Sequence, residues 1–598
     1  MTDPNEVTAD GPVNDTTDGP ADSVAAARSR WEREVLEPAL SRFGLDAPAD
    51  RFYGPDDVAE LDFHRSIGFP GQFPFTAGPY PTQPFAAGAR GTGLIPQGKG
   101  LARAGRYSGY GTAEDTAAYY ARMIADGQRA GPNVAFDLPT QCGYDSDDPH
   151  ALGEVGRAGV AIDSFEDFCA LYEPFQGELE VDKVGSNWTI NAPATIIVAM
   201  YFLLARKRGV DGTKLRGTPQ NDILKEFIAR GTYIFPPRPS MRLVRDLFGF
   251  VTEHLPRLNV VSGGGYHMRE AGATRELDLG FSMANGIAYL QTGVDAGIDV
   301  DVLAQRITFN AFGGSLELFK EVALQRAARR MWAKITRDRF GAKSPRSWVL
   351  RQPNGAHMGY YNATVSRPIN NLTRAVVGGI ASALSGYGSN VEPPFDEALG
   401  LGWSREGMQM SEDAARILQY EAGLNQVRDP LAGSYYVESL TNEIEAAASE
   451  VVEQVEAYGG SVGAIEAGFM QDAVSSSAMD RAMAQETGER LVVGVNAFTG
   501  PEEIDVRVVT SSARMYGTEQ LGTAERRQLD KLFTLRRGRH DREVTRALRA
   551  LEKAARDPDT NVMKSVVDCV AGLCTVGEIC GVLREVFGEY RGATALGH

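Results

Sequence analysis

Short runs of β-branched and small residues alternate with longer amphipathic runs along most of this chain. "TAEDTAAYYARMIADGQ" carries apolar residues at helical spacing and leads into the strand-like "NVAFDLP". The alternation repeats with "GVAI" before "DSFEDFCALY", "KVGSNWTIN" before "APATIIVAMYFLLARKRG", and "LRGTP" before "QNDILKEFIARG". It continues with "NVVSGG" before "REAGATRELDLGFSMANGIAYLQTG" and "RITFNAFGG" before "SLELFKEVALQRAARRMWAKI". "SWVLRQP" before "RPINNLTRAVVGGIASAL" and "GYGSNVEP" before a helix after Ser411 complete it. Near eight βα units over residues 103–425 predict an α/β fold, a (β/α)8 TIM barrel. An open doubly wound sheet is the rival, weakened because no GxGxxG opens any unit. Around the barrel, residues 1–25 read as a disordered acidic lead-in and 26–102 as an N-terminal extension that contacts the ligand. Residues 426–500 read as a helical extension, and 501–598 as a C-terminal helical region able to dock another subunit.

The predicted strands are unusually polar on one face. In "SNWTIN", Asn187, Thr189 and Asn191 oppose Ser186, Trp188 and Ile190; in "ITFNAF", Thr308 and Asn310 oppose Ile307, Phe309 and Ala311. Barrel strands are normally aliphatic on both faces, and a buried unpaired polar group costs about 1–3 kcal/mol. Either these groups satisfy one another, or the bore stays open for a polar ligand threaded along the axis. "VVSGGGYHMREAGA" favours the bore: Ser262 and Gly263, Gly264 and Gly265 make room, and Tyr266 and His267 face what arrives.

Composition removes several function classes. A formal net charge of −17 gives no general attraction to nucleic acid or to anionic membrane. The longest apolar run, residues 194–205, is too short for a bilayer and ends in Arg206, Lys207 and Arg208, which suits a buried helix. Five cysteines without metal spacing, and no secretory leader, point to a reduced cytoplasmic compartment; Cys569, Cys574 and Cys580 read as packing residues. "GLIPQGKG" puts Gly100 where a phosphate-binding loop needs a hydroxyl, yet Arg90, Lys99, Arg103 and Arg106 could hold a phosphate-bearing tail. "DFHRSIG" carries one residue too many for a cobalt-ligating D-x-H-x-x-G, so His64 reads as structural. "GGSVG" lacks the strand that a nucleophile elbow requires and reads as a turn between helices. No metal site is expected.

Long, rare strings then carry a family likeness. "YSGYGTAEDT", "VAFDLPTQCGYDSDDP", "GEVGRAGVAIDS", "GTPQNDILKEFIARGTYIFPPRPSMR", "SGGGYHMREAGA", "FDEALGL", "DPLAGSYYVESLTNEI" and "VGVNAF" fall between residues 78 and 498. On these the chain resembles the large, catalytic subunit of adenosylcobalamin-dependent acyl-CoA mutases, the methylmalonyl-, isobutyryl- and 2-hydroxyisobutyryl-CoA mutase family. The likeness implies a barrel threaded by the pantetheine arm of CoA, and an isomerase that shifts a CoA-thioester group to a neighbouring carbon by radical chemistry. It implies catalytic roles for His267, which hydrogen-bonds the thioester carbonyl, and for Tyr266, wedged against the adenosyl group. Gln220 would touch substrate, and Arg103, Arg106, Phe136, Asn259, Ser262 and Arg306 would meet CoA and the acyl chain. Glu270 and Glu397 would lie near the adenosyl ribose.

Tyr107 and Arg230 match the pair that binds a free carboxylate in methylmalonyl-CoA mutase, whereas the monocarboxylic relatives carry other residues there. A buried guanidinium without an anion is unfavourable, so a dicarboxylic acyl-CoA is expected; pairing of Arg230 with a protein carboxylate is the plain alternative. The chain departs from the family at "RQPNGAHMGYYN", at Gln141 where a histidine is usual, and by extra residues between Tyr80 and Tyr107. No cobalamin motif follows Phe498, which implies a separate small cobalamin-binding subunit and a heterotetramer or larger assembly. A branched monocarboxylic substrate, a non-catalytic CoA-ester-binding scaffold, and an ordinary barrel lyase or aldolase stay open as alternatives.

Overall fold

A computed structural model describes residues 23–43, 53–81, 107–125, 127, 131–352, 355–388, 391–399, 404–424, 427–500 and 518–592. Arg103, Arg106, the "GLIPQGKG" segment and the side chain of Tyr107 lie outside the described residues. The chain divides into two compact units, residues 1–61 with 433–439, and residues 62–432 with 440–598. In the smaller unit, helix Val24–Trp31 is capped by the Ser23 hydroxyl, and Arg28 pairs with Glu32 and Asp57, each at 3.1 Å.

Among the described residues the larger unit has six short parallel strands: β1 Tyr107–Ser108, β2 Asn133–Ala135, β3 Ser186–Thr189, β4 Gly217–Pro219, β5 Val261–Gly263 and β6 Ile307–Phe309. β1 to β4 are paired in chain order, and β5 pairs with β6. The two groups meet where the amides of Asn259 and Ser262 donate to the carbonyls of Gly217 and Gln220, at 2.9 and 2.8 Å. Beyond β6, the Phe309 amide donates to the Arg351 carbonyl at 2.9 Å. This is a continuous parallel arc with helical crossovers. Among the described residues no strand pairing joins the Arg351 segment back to β1, so the eight-stranded barrel expected from the sequence is not closed by its hydrogen bonds. The anticipated "GVAI" strand contributes one bridge, Val160 to Phe136. The anticipated "GYGSNVEP" strand has no assigned ladder, and its residues 389 and 390 are outside the described set.

Residue choice explains the arc. Helix Ala194–Lys207, the apolar run that the sequence marks as a buried helix, has ten of its residues buried. It packs Tyr201 edge-on to Trp188 at 4.7 Å, so the apolar face of β3 is covered. The opposite face of β3 is open: Asn187 is exposed and Thr189 half-buried, while Ser186 and Trp188 are buried. Helix Leu318–Lys334 carries three buried arginines that are satisfied by protein. Arg329 donates to the carbonyls of Phe75, Thr76 and Ser385, and Arg326 and Arg330 pair with Asp429 and Glu445.

The C-terminal helices Thr518–Gly538, Asp541–Arg556, Met563–Ala571 and Val576–Phe587 are part of this unit. Arg584 donates to the carbonyls of Cys142 and Gly143 at 2.6 and 2.9 Å, and Asp145 accepts from Thr575, Gly577 and Arg536. Cys569, Cys574 and Cys580 are buried, as packing residues should be. "DFHRSIG" forms one turn capped by Asp62 with His64 exposed, and "GGSVG" forms a turn at two glycines of φ 83° and 89° before helix Ser461–Glu466. No helix of the described residues is long and apolar enough to cross a membrane.

Candidate active site

The glycines after β5 are there for close packing. A Cβ at Gly263 would lie 2.8 Å from the Phe309 ring, one at Gly264 3.0 Å from His267 Nδ1, and one at Gly265 2.2 Å from Asp278 Oδ1. Room for a passing ligand, the expectation from sequence, is therefore not what these three positions supply; protein atoms occupy the space. The Gly264 amide donates to Asp222 Oδ2 at 2.7 Å, which fixes the turn from β5 into helix Gly265–Glu270. That helix presents Tyr266, His267 and Glu270 at the strand ends.

The Tyr266 and His267 rings meet at a tilt of 32° with centres 3.9 Å apart, and His357 meets the Tyr266 ring edge-on at 6.1 Å. His267 Nδ1 is enclosed without a hydrogen-bond partner, although the side chain as a whole is only half-buried. Burial, then the charges of Lys225 and Arg230, hold the imidazole well below its ordinary pKa, so it is neutral at pH 7.

A buried polar network lies alongside. Asn191 Nδ2 donates to Gln220 Oε1 at 3.0 Å and to Glu226 Oε1 at 2.7 Å. Glu226 also pairs with Lys225 and with Arg230 Nη1, the latter at 3.3 Å. Burial opposes ionisation of Glu226, but the two cations outweigh it and hold its carboxyl below the usual range. The bonds given for Arg230 all fall on Nη1, from Gln141 Oε1 at 2.9 Å, Thr232 Oγ1 at 3.2 Å and Glu226. Its Nε and Nη2 edge makes no hydrogen bond among the described residues, and the side chain stays 23% exposed. Arg230 thus has a protein carboxylate on one nitrogen, and an open fork on the opposite side.

Across the open face of the arc runs one lateral row of polar side chains. Asn133 is registered with Asn187 and Asn187 with Thr218; Asn259 Nδ2 donates to Thr218 Oγ1 at 2.8 Å, and Arg351 Nη1 donates to Asn259 Oδ1 at 3.0 Å. Arg306 stands beside Arg351. Its Nη1 is buried without a partner, and burial followed by the Arg351 charge pushes its pKa down. Among the described residues neither arginine meets a carboxylate. Ser262, three residues beyond Asn259, is half-buried, whereas the Phe136 ring is wholly enclosed and its carbonyl accepts from Gln141 at 2.6 Å.

A second group gathers beyond the strand ends. Glu270 accepts from the amides of Tyr360 and Tyr361 at 2.7 and 2.8 Å, and burial raises its pKa. Although Tyr360 is 40% exposed, local enclosure of its hydroxyl raises its pKa, followed by Glu392, Glu397, Tyr266 and Glu270, so that Glu397 is one of the charges acting on this group. A cavity of about 480 Å³ opens beside Glu270, lined also by Gly272, Tyr361, Arg481, Gln485 and Asn496. Arg481 stands 3.4 Å over the Tyr361 ring. Among the described residues no cluster of His, Cys, Asp and Glu could hold a metal ion.

The structure thus brings Tyr266, His267, Gln220 and Arg230 to one end of the strands, Asn259 and Arg306 to their starts, and Glu270 with Glu397 beyond their ends. Sequence reasoning missed Lys225, Asp222, Glu226 and Arg351. Three of these lie in "NDILKE", an amphipathic helical run whose charges look solvated until the fold buries them. Arg351 sits in a departing segment that carried no motif.

Fold and site define a parallel α/β enzyme with a neutral imidazole at the strand ends and, at the strand starts, two arginines that meet no carboxylate among the described residues. A comparison with known families matches residues 45–589 to the model of methylmalonyl-CoA mutase. Similar proteins include a probable mitochondrial methylmalonyl-CoA mutase of Caenorhabditis elegans, 36% identical over 90% of this chain and 68% of that protein. The methylmalonyl-CoA mutase large subunit of Streptomyces virginiae is 38% identical over 90% of this chain and 70% of that protein. The 2-hydroxyisobutanoyl-CoA mutase large subunit of Aquincola tertiaricarbonis is 37% identical over 91% of this chain and 92% of that protein. The chain belongs to the methylmalonyl-CoA mutase family, a family of isomerases.

Proposed function

We propose that this chain is the large subunit of an adenosylcobalamin-dependent mutase that isomerises a dicarboxylic acyl-CoA, such as methylmalonyl-CoA or a larger homologue. The observation that carries this reading is one polar track with two chemically different ends. At the strand starts, Arg306 and Arg351 have no protein anion among the described residues, a costly arrangement that the phosphates of a CoA tail would relieve. Asn259 to Gly264 is five residue steps, roughly 16 Å of extended chain around β5, beside which Asn187, Thr189, Thr218 and Ser262 offer hydrogen bonds to a pantetheine arm. At the strand ends, His267 presents a neutral N–H to the thioester carbonyl, and Gln220 stands beside it. The arc of parallel strands supports a closed (β/α)8 barrel around this track.

The free fork of Arg230 supports a second carboxylate on the substrate, because Nε and Nη2 form the edge that holds a carboxylate bidentately. Tyr107, Arg103 and Arg106 belong to the same reading by resemblance alone. For the cofactor, the residues fit a nucleoside: carboxylates of Glu270 and Glu397 to accept from ribose hydroxyls, and the Tyr361–Arg481 pair beside a cavity of ligand size. Adenosylcobalamin, when bound, supplies homolytic bond cleavage and hydrogen abstraction. The chain's own part is to hold the ester, exclude water and keep one hydrogen bond on the migrating carbonyl. That two similar proteins are named large subunits supports a separate small subunit carrying the cobalt ligand, and a heteromeric working enzyme.

The test combines this chain with the cobalamin-binding small subunit and adenosylcobalamin, and screens pairs of acyl-CoA isomers. Isomerisation is expected only with both proteins present, and His267→Ala should slow it by ~100-fold or more, the scale of losing one oxyanion donor. Full turnover by the variant would remove the assigned role.

A further inference from the structure

The C-terminal segment grips both pieces of chain that bring Gln141 to Arg230, and no role above uses that grip. Gln141 ends the short helix Leu138–Gln141; its Nε2 donates to the Phe136 carbonyl at 2.6 Å, and its Oε1 accepts from Arg230 Nη1 at 2.9 Å. The next two carbonyls, of Cys142 and Gly143, accept from Arg584 of helix Val576–Phe587 at 2.6 and 2.9 Å. Gly143 has φ 68°, and a Cβ there would lie 2.6 Å from Cys580 Sγ on that same helix. Asp145 accepts from the Thr575 hydroxyl at 2.5 Å and from the Gly577 amide at 2.6 Å. The turn that carries Gln141 is thus fastened, from residue 142 to 145, to one helix and its cap.

The same segment also reaches the Arg230 side. The Tyr590 amide donates to the Ile234 carbonyl at 3.0 Å, and its ring meets Phe227 and Tyr233 edge-on, each at 4.9 Å. Phe227 belongs to the helical turn Glu226–Arg230, and Tyr233 and Ile234 follow it closely. Residues 575–590 therefore set the spacing between the two elements. That spacing matters because Gln141 is a neutral partner of Nη1, whereas Glu226 Oε1 stands 3.3 Å from the same nitrogen. Were the Gln141 turn to draw back by about 1 Å, its bond would be lost, and the guanidinium would swing its open edge onto the protein carboxylate.

We propose that Arg584 is a positioning residue for substrate selection: by holding the Gln141 turn, it keeps the Nε and Nη2 edge of Arg230 away from Glu226 and free for a carboxylate. The inference rests on the reading of that edge as the seat of the substrate's second carboxylate, and names what keeps the seat open. Arg584 acts through the backbone of the turn. Its other contacts are the Tyr144 ring, 4.3 Å away, and Glu589 at 2.9 Å.

The experiment is calorimetric titration of the full-length chain with methylmalonyl-CoA and with isobutyryl-CoA, which has a methyl in place of the free carboxylate. The readout is the ratio of the two affinities. Wild type is expected to prefer the dicarboxylic ester, and Arg230→Gln to lose that preference. Arg584→Met should weaken methylmalonyl-CoA binding by about fivefold or more, the scale of one displaced hydrogen bond, while isobutyryl-CoA binding stays within about twofold. Equal weakening of both esters, or no change in either, would overturn the inference, because a merely structural role does not tell the two apart. If Arg584→Met does not fold, Arg584→Gln decides by the same ratio, since its shorter side chain cannot span both carbonyls; a wild-type ratio there would overturn the inference equally. Failure of the underlying reading looks different: wild type and Arg230→Gln would then share one ratio, and both readings would fall together.

Discussion

Replacing Arg230 by Gln separates recognition of the second carboxylate from every other part of the site. The open edge offers two charge-assisted hydrogen bonds, each worth about 1.5–3 kcal/mol when well shielded. The side chain is 23% exposed, so water competes and the joint contribution is discounted to about 2–3 kcal/mol. At 1.36 kcal/mol per decade, kcat/KM for a dicarboxylic ester should fall roughly 30- to 150-fold. An ester of the same shape with a methyl in place of the carboxylate should lose little, or gain slightly as the competing charge is removed. The assay is kcat/KM for such a matched pair, measured on reconstituted wild type and variant. Equal losses on both esters would mean that Arg230 serves only the Glu226 network, and the substrate argument would fail.

Three further outcomes follow from the same geometry. Arg306→Ala should weaken calorimetric binding of CoA by about tenfold, as expected for one phosphate contact, with kcat nearly unchanged. Equal affinity would move the CoA tail elsewhere. Gly265→Ala should lower thermal stability by about 1–3 kcal/mol, because its Cβ meets buried Asp278 and Ser282 oxygens at 2.2 and 2.5 Å; a neutral result would show that the turn can relax. Burial raises the carboxyl of Asp137 to about 6, above its ordinary 3.8. A raised folded-state pKa means that the folded chain binds the extra proton, so this stability is complete below pH 3.8 and is lost as pH rises through 6. Asp137→Asn should therefore flatten the fall in stability between pH 4 and 7 by ~3 kcal/mol relative to wild type, read by denaturant unfolding; parallel profiles would contradict it.

The alternation of strand-like and helical runs was legible because parallel strands and their crossovers follow the 2.0 and 3.6 residue periods directly. β3 shows this well: its polar face, read from "SNWTIN", is the face left open. Closure was less legible, since it depends on ladder geometry at both edges and not on any one run. The glycines at 263 to 265 were read as space for a ligand, but sequence cannot say which atoms approach a missing Cβ. Tyr266 and His267 were found because an aromatic and an imidazole at a strand end are chemically conspicuous. Lys225, Glu226 and Asp222 were missed because charged residues on a helix look solvated until burial reverses the expectation. The partner of Arg230 was half legible: a protein carboxylate does meet it, on one nitrogen only.

The central claim, a polar track from phosphate-seeking arginines to one neutral imidazole, is tested most directly by a crystal structure with an acyl-CoA bound. The account predicts phosphate oxygens within about 3 Å of Arg306 and Arg351, and the thioester oxygen at a similar distance from His267 Nε2. An ester lying on the outer helices, or a thioester carbonyl with no bond to His267, would contradict it.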